Sequence, residues 1–192
     1  MNNLTGKKII LGSKSPRRRQ LLSEAGISFE IRIQDIEENF NPDMPVLEVA
    51  EDLAKRKADA LVQTLSAEEI LITADSVVIL DGVIFNKPEN YQEGIKMLSV
   101  LSNRTHKVAT GVCIRTQTSE NAFTVITLVT FGVLSDEEIE YYLLHHKPYD
   151  KAGAYGIQDW IGLTKVTKIE GSYSNVMGLP VSEVYEALKK IN

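Results

Sequence analysis

Cysteine and long apolar runs are scarce in this sequence, and each scarcity excludes a class of protein. A single cysteine, Cys113, allows no internal disulfide, and without a Cys/His ligand set a zinc site is not expected. No stretch approaches the ~20 apolar residues that span a bilayer, and the apolar run after Lys7 and Lys8 is far shorter than a signal-peptide core. We therefore expect a cytoplasmic protein with no membrane partner.

Positive charge is also in short supply, which argues against a polyanionic partner. The chain has 21 Lys and Arg against 26 Asp and Glu, a net charge of −5. Such a protein is not expected to bind nucleic acid, so any anion site must be a local positive pocket. Neither a Gly-x-x-x-x-Gly-Lys-Ser/Thr motif nor a Gly-x-Gly-x-x-Gly motif is present, which excludes a P-loop enzyme and a Rossmann cofactor.

The length and composition predict one folded domain. With 192 residues, of which 43% are hydrophobic, the chain can bury a sizeable core. No internal repeat or linker divides it. We expect a single domain over residues 1–192, which can still have two lobes.

A strand that runs directly into a helix, residues 9–22, is the first candidate for a binding site. Ser15 is a good N-cap and Pro16 suits the first helical position, so free N–H groups and the positive end of the helix dipole face the loop around Ser13. A phosphate fits such a junction, particularly beside Lys14 and the arginines that follow. Taken alone, an N-capped helix with a solvated basic face is the commoner explanation.

An apolar, β-branched run at residues 69–80 predicts a central strand, and Asp75 interrupts it. A buried carboxylate is costly unless it is paired or binds a cation. A structural partner, a metal ligand and a general base are all open interpretations of Asp75. The Asp81-Gly82 turn predicts a hairpin whose returning strand leaves Lys87 roughly level with Asp75.

A helix predicted at residues 46–65 carries a lysine on its apolar stripe. Lys57 is four residues from both Leu53 and Leu61. A lysine at such an edge usually extends to solvent, so a functional role is the less common alternative. The acidic loop that precedes this helix contains Glu38.

The remaining pattern predicts further elements with ordinary structural roles. His106 is expected to form a structural hydrogen bond, and His145 and His146 to end a helix. The predicted elements are strands at residues 29–34, 106–115, 121–133 and 163–169, a loop at 171–179, and helices at 91–101, 135–144 and 181–191.

Together, a basic helix start, two carboxylates and two lysines suit the handling of a nucleotide phosphate. Basic groups hold phosphate oxygens, and carboxylates hold a divalent cation that bridges them. The chain also resembles the Maf family of nucleoside triphosphate pyrophosphatases in blocks that follow one another in the family's order. They are residues 11–18 (LGSKSPRR), 74–78 (ADSVV) with 87–88 (KP), 101–106 (LSNRTH), 150–158 (DKAGAYGIQ), 171–173 (GSY) and 178–180 (GLP).

The resemblance implies an inosine-triphosphatase-like α/β fold, with a long mixed sheet, flanking helices and two lobes around a cleft. It implies a hydrolase of nucleotide metabolism that cleaves a nucleoside triphosphate between the α and β phosphates with Mg²⁺ or Mn²⁺. It assigns roles as follows: phosphate binding to Ser13, Arg17 and Arg18; water activation and metal binding to Asp75; metal binding to Glu38; and transition-state stabilisation to Lys57 and Lys87.

Within the family, residues 151–158 resemble the branch that acts on dTTP and UTP, with modified pyrimidine nucleotides as further candidates. There Arg17, the residue after the aspartate and Gln158 are associated with substrate choice. Ser76 stands after the aspartate where threonine is usual, and Asn86 stands before the lysine where glycine is common. Ser76 keeps the hydroxyl, so a mild effect is expected.

Two other functions remain open at this point. One is hydrolysis of 7-methyl-GTP or modified purine nucleotides by the same chemistry. The other is a regulatory nucleotide binder in septum formation, as an older name of the family suggests. A homodimer is the default expectation, because two-fold dimers are the commonest oligomers.

Overall fold

The fold is a mixed β-sheet with helices between its strands. The computed structural model describes residues 6–191. The strands are β1 (Lys8–Leu11), β2 (Glu30–Ile31), β3 (Glu69–Leu80), β4 (Val83–Phe85), β5 (Thr105–Arg115), β6 (Glu120–Phe131) and β7 (Val166–Glu170). The α-helices are α1 (Pro16–Glu24), α2 (Val49–Val62), α3 (Tyr91–Leu101), α4 (Asp136–His146), α5 (Trp160–Lys165), α6 (Tyr173–Met177) and α7 (Val181–Leu188), and a 3-10 turn covers Ala152–Ala154.

Parallel and antiparallel pairings both occur in the sheet. The strand order is β2-β1-β3-β5-β6-β7, and β4 pairs with β3 outside this path. β1 runs parallel to β2 and β3, whereas β4 is antiparallel to β3 and β7 is antiparallel to β6. The predicted α/β class with a long mixed sheet and flanking helices is confirmed. The cleft between lobes stays a prediction.

The chain folds into two compact units. Among the described residues, the first contains 6–75, Thr110–Val125 and 178–191, and the second contains Ser76–Ala109 and Ile126–Met177. The boundary between them falls inside β3, β5 and β6. The single domain expected over residues 1–192 stays a prediction.

Each unit has its own buried apolar cluster. In the first unit, α2 packs on β1, β3 and β5 through Ile10, Ala54, Ala58, Leu61, Leu65, Leu71 and Cys113. Burial raises the pKa of the Cys113 thiol to about 12, so this cysteine is an inert core residue, as expected. In the second unit, α3 and α4 pack on the sheet, and the shared cluster includes Leu98, Leu101, Phe131, Ile139 and Tyr142.

Several predicted boundaries were wrong. Residues 163–169 combine the end of α5 with β7, and the predicted loop at 171–179 contains α6. Short alternating segments do not distinguish a strand from a single helical turn, which explains both errors. β2 is shorter than expected because β1 ends at Leu11, where the chain turns toward α1, and only Glu30 and Ile31 find strand partners. α2 starts later than expected because Pro45 and Glu48 form a turn before it.

Bilayer-spanning helices are absent from residues 6–191. None of the helices in this range is both long and apolar enough to cross a membrane.

Candidate active site

The strand-to-helix junction after β1 has the predicted capping geometry. The Ser15 hydroxyl accepts a hydrogen bond from the Arg18 N–H at 3.4 Å, and Pro16 is the first helical residue. Ser13 is buried, and its hydroxyl accepts a hydrogen bond from the Ser15 N–H at 3.2 Å. The junction is therefore an ordered turn. Arg17, on the first turn of α1, is half-buried.

Arg18 connects three parts of the first unit through one guanidinium. It donates from Nε to the Gly178 carbonyl at 2.7 Å, and from Nη1 to the Ala74 carbonyl at 2.8 Å and the Ser13 hydroxyl at 3.3 Å. Burial lowers the pKa of Arg18, and the nearby Asp75 carboxylate opposes this shift. An arginine stays charged under these conditions, so Arg18 places a fixed positive charge near Asp75.

Helix α2 lies close to the sheet at the point where it carries Lys57. The Thr73 hydroxyl donates to the Ala54 carbonyl at 2.7 Å. One strand further, β5 has a glycine at residue 111, where an added Cβ would lie 2.3 Å from the Ala50 carbonyl oxygen. Only a residue without a side chain permits this approach. These contacts fix the height and rotation of α2 on the sheet.

Lys57 and Asp75 meet because of this docking. Asp75 is two residues beyond Thr73 and points to the same face of β3, and Lys57 is three residues beyond Ala54 on the same face of α2. The Lys57 ammonium contacts the Asp75 carboxylate directly, and the two side chains are only 15% and 14% exposed. The predicted need of Asp75 for a partner is confirmed, and Lys57 does not extend to solvent.

Glu38 completes the cluster from the acidic loop. Its carboxylate accepts a hydrogen bond from the Lys57 ammonium at 2.7 Å. Arg56, the neighbour of Lys57 in α2, holds the loop on both sides of Glu38: it donates to the Glu37 carbonyl at 2.6 Å, and to the carbonyl and side-chain oxygens of Asn39. Two consecutive residues of α2 thus fix the position of Glu38.

The remaining predicted site residues belong to the second unit: Ser76, Lys87 and Gln158. β3 pairs with β4 in an antiparallel register that sets Val78 opposite Phe85. Continued by two residues, this register sets Ser76, which precedes Val78, level with Lys87, which follows Phe85. Ser76 is half-buried and Lys87 is exposed. The hairpin prediction that brought Lys87 to this level of β3 agrees with this register.

The block that contains Gln158 is an ordered loop anchored by a phenol. Tyr142 of α4 is fully buried; its hydroxyl donates to the Asp159 carboxylate at 2.7 Å and accepts from the Gly156 N–H at 3.0 Å. Gln158 lies between these two anchor points. It is half-buried, and its Oε1 is buried with no hydrogen-bond partner among the described residues.

Some residues position the site rather than form it, and their role was not predicted from the sequence: Thr73, Arg56 and Gly111. A glycine inside a β-branched strand was an available signal for Gly111, because such a glycine often marks a close backbone approach. Nothing local distinguishes Arg56 from other helical arginines, since the loop residues that it holds lie 17 and 19 residues away in the chain.

Comparisons with known proteins find a family model and relatives that match nearly the whole chain. The model of the Maf-like protein family matches residues 8–191. A dTTP/UTP pyrophosphatase of Phocaeicola vulgatus is 48% identical over 192 residues, covering 100% of both chains. The dTTP/UTP pyrophosphatase of Porphyromonas gingivalis is 49% identical over 192 residues, covering 98% of this chain and 96% of the relative.

Another relative and a more distant structure complete the comparison. A dTTP/UTP pyrophosphatase of Flavobacterium johnsoniae is 48% identical over 181 residues, covering 94% and 93% of the two chains. A crystal structure of a nucleoside-triphosphatase / dITP/XTP pyrophosphatase from Mycobacterium abscessus shares 15% identity, with a TM-score of 0.40 and coverage of 65% and 74%; we infer nothing from this distant similarity. On the family match and the full-length relatives, the chain belongs to the family of Maf-like proteins.

Proposed function

We propose that this protein is a nucleoside triphosphate pyrophosphatase that hydrolyses dTTP and UTP between the α and β phosphates, giving the monophosphate and pyrophosphate. The observation that carries the proposal is the cluster of Lys57, Asp75 and Glu38, which combines cationic and anionic groups at a partly buried position. The names of the relatives that match over the whole chain support the choice of base.

Glu38 and Asp75 are the proposed ligands of a divalent cation, Mg²⁺ or Mn²⁺. Both contact the same lysine nitrogen, so both carboxylates face one shared position that is occupied by a cationic group. Within residues 6–191 no group of three or more His, Cys, Asp and Glu side chains forms a complete protein cage. This fits Mg²⁺, which usually takes one or two carboxylates and completes its shell with water and substrate phosphates. When bound, the ion would neutralise charge on the phosphate oxygens.

Asp75 is the proposed acceptor of the proton from the attacking water. It lies in the interior of β3 with an exposed side-chain fraction of 14%, where a carboxylate can orient a water molecule with little competition from solvent. Lys57 and Lys87 are the proposed cations that stabilise the charge developing on the phosphates. Ser13, Arg17 and Arg18 are proposed to hold the phosphates, and Ser76 and Gln158 to contribute to the choice of base.

Pyrophosphate release by wild-type and Asp75→Asn protein tests this proposal. The panel contains dTTP, UTP, CTP, dATP, GTP and 7-methyl-GTP, each with Mg²⁺ or Mn²⁺. We expect dTTP and UTP to be turned over fastest by the wild type. Asp75→Asn should lower kcat by a factor of at least about 100, the lower end of the range for general acid-base catalysis, while nucleotide binding stays measurable by calorimetry.

The conservative control is Asp59→Asn on the exposed side of α2, where the carboxylate pairs with Arg115 and touches none of the proposed catalytic groups. Its kcat should stay within about twofold of the wild type. No turnover of any pyrimidine triphosphate by the wild type would refute the proposal. If 7-methyl-GTP is turned over fastest, the proposed hydrolysis between the α and β phosphates stands and the proposed base is wrong. Full activity of Asp75→Asn would remove Asp75 from the mechanism.

A further inference from the structure

The ammonium of Lys57 occupies the position between two carboxylates. Its Nζ lies 2.7 Å from Glu38 Oε1 and also contacts Asp75 Oδ1. A neighbouring lysine of the same helix, Lys55, behaves differently: it pairs with Glu51 at 2.9 Å and its side chain is 40% exposed. Lys57, at 15% exposure, is therefore held by two negative charges in a partly dehydrated position.

The oxygens that hold Lys57 are the ones proposed to bind the divalent cation. An ion that contacts both carboxylates competes with Nζ for the same oxygens. The lysine side chain has a flexible four-carbon stem, so its ammonium can move while the helix stays in place. The ammonium that leaves the carboxylates would then be available to the phosphates that accompany the ion.

We propose that Lys57 is the resident counter-ion of the Glu38 and Asp75 pair and that it leaves the pair when a divalent cation binds. The inference rests on the proposed assignment of these carboxylates as metal ligands. Lys57 stabilises the cluster before the metal arrives, because it compensates one of the two negative charges at contact distance. It also lowers the affinity for the metal, since a cation must displace it.

Removing the positive charge tests this competition. Lys57→Met keeps an unbranched stem that ends one atom short of the ammonium, and it leaves both carboxylates in place. We expect Lys57→Met to bind Mn²⁺, in the absence of nucleotide, roughly tenfold more tightly than the wild type, because the repulsion between the ion and the ammonium is gone. The measurement is a Mn²⁺ titration followed by electron paramagnetic resonance of the free ion.

Two further variants show whether the gain in Mn²⁺ affinity arises at the Glu38 and Asp75 pair. Lys55→Met removes a positive charge from the same helix but not from the carboxylate pair, so its affinity should stay near the wild-type value. Asp75→Asn combined with Lys57→Met should abolish the gain. Unchanged or weaker Mn²⁺ binding by Lys57→Met would overturn the inference, and so would a gain that survives in the double variant.

A measurement on the wild-type protein covers the case in which Lys57→Met does not fold. Acetylation by a water-soluble succinimidyl ester, quantified by mass spectrometry, reports the accessibility of each lysine amine. Saturating Mg²⁺ should accelerate the acetylation of Lys57 relative to Lys55 in the same sample. A rate at Lys57 that stays constant or falls would show that the ammonium does not leave.

These outcomes are separable from those of the proposed function. If the wild type hydrolyses dTTP but Lys57→Met shows no gain in Mn²⁺ affinity, only the role of Lys57 as counter-ion is overturned and the proposed activity stands. The gain without hydrolysis of any nucleotide would overturn the proposed activity and support the exchange of cations at Glu38 and Asp75.

Discussion

His106 shows how the environment of one residue sets its protonation. It is 1% exposed, its Nε2 lies 2.7 Å from the Tyr155 hydroxyl, and its ring meets the ring of Phe131 edge-on at 5.2 Å. Burial lowers the pKa of His106 to about 4, so the ring is neutral at physiological pH. The prediction of a structural hydrogen bond at His106 is confirmed. Because the pKa of His106 differs between the folded and the unfolded chain, its protonation changes the free energy of unfolding.

We expect the free energy of unfolding to fall as the pH is lowered from about 6.5 to about 4, because His106 takes up a proton in the unfolded chain but not in the folded one. The loss is at most about 1.4 kcal/mol per pH unit. Glu69 adds no pH dependence above pH 4.5: its hydrogen bond to Arg32 lowers its pKa to about 2, so its stabilisation is fully present at higher pH and is lost only as the pH falls from 4.5 toward 2.

Urea unfolding of the wild type and His106→Asn between pH 7 and 4.5 measures this effect. The variant lacks the titrating ring, so the difference in unfolding free energy between the two proteins should shrink as the pH falls. Two curves that remain parallel over this range would contradict the assignment of the pH dependence to His106.

At the scale of elements, the contact between α2 and β5 positions Lys57. We expect Gly111→Ala to destabilise the protein by roughly 2 kcal/mol or more and to lower kcat/KM strongly, because its Cβ would lie 2.2 Å from the Glu51 backbone nitrogen and force α2 outward. Thermal unfolding and the pyrophosphate assay provide the two measurements.

Gly132→Ala is the matched control for this substitution. An added Cβ there would meet the Thr167 methyl group at 3.3 Å, a side chain that can adjust by a few tenths of an ångström. Its effect on stability should be clearly smaller and its effect on kcat/KM slight. Equal effects of the two substitutions would mean that the docking of α2 does not depend on the close approach at Gly111.

Local signals in the sequence were sufficient for the elements that carry the site, but not for the contacts between them. Ser15 and Pro16 identified the start of α1, and the apolar run around Asp75 identified β3. The contact of Lys57 with Asp75 depends on the depth of α2 on the sheet, which Thr73 and the glycine of β5 set through residues distant in the chain. Periodicity reports which face of a helix is buried, and not which residue of the sheet it meets.

At the scale of the whole molecule, we expect one cooperative unfolding transition despite the two compact units. The boundary between the units falls inside β3, β5 and β6, so neither unit can unfold without disrupting strands that continue in the other. Differential scanning calorimetry should therefore give a single peak whose calorimetric and van't Hoff enthalpies agree. Two resolved peaks, or a ratio of these enthalpies far from one, would show that the units unfold independently.

The hydrogen bonds of Arg18 have a consequence for the order in which the protein is made. Its Nε acceptor is the carbonyl of Gly178, 160 residues further along the chain. During synthesis from the N-terminus, β1 and α1 leave the ribosome long before this acceptor exists, so Nε of Arg18 lacks its native partner until Gly178 has been translated. The native environment of Arg18 is therefore completed only after Gly178 has been made, and a chain truncated before Gly178 would retain this arginine without one of its buried partners.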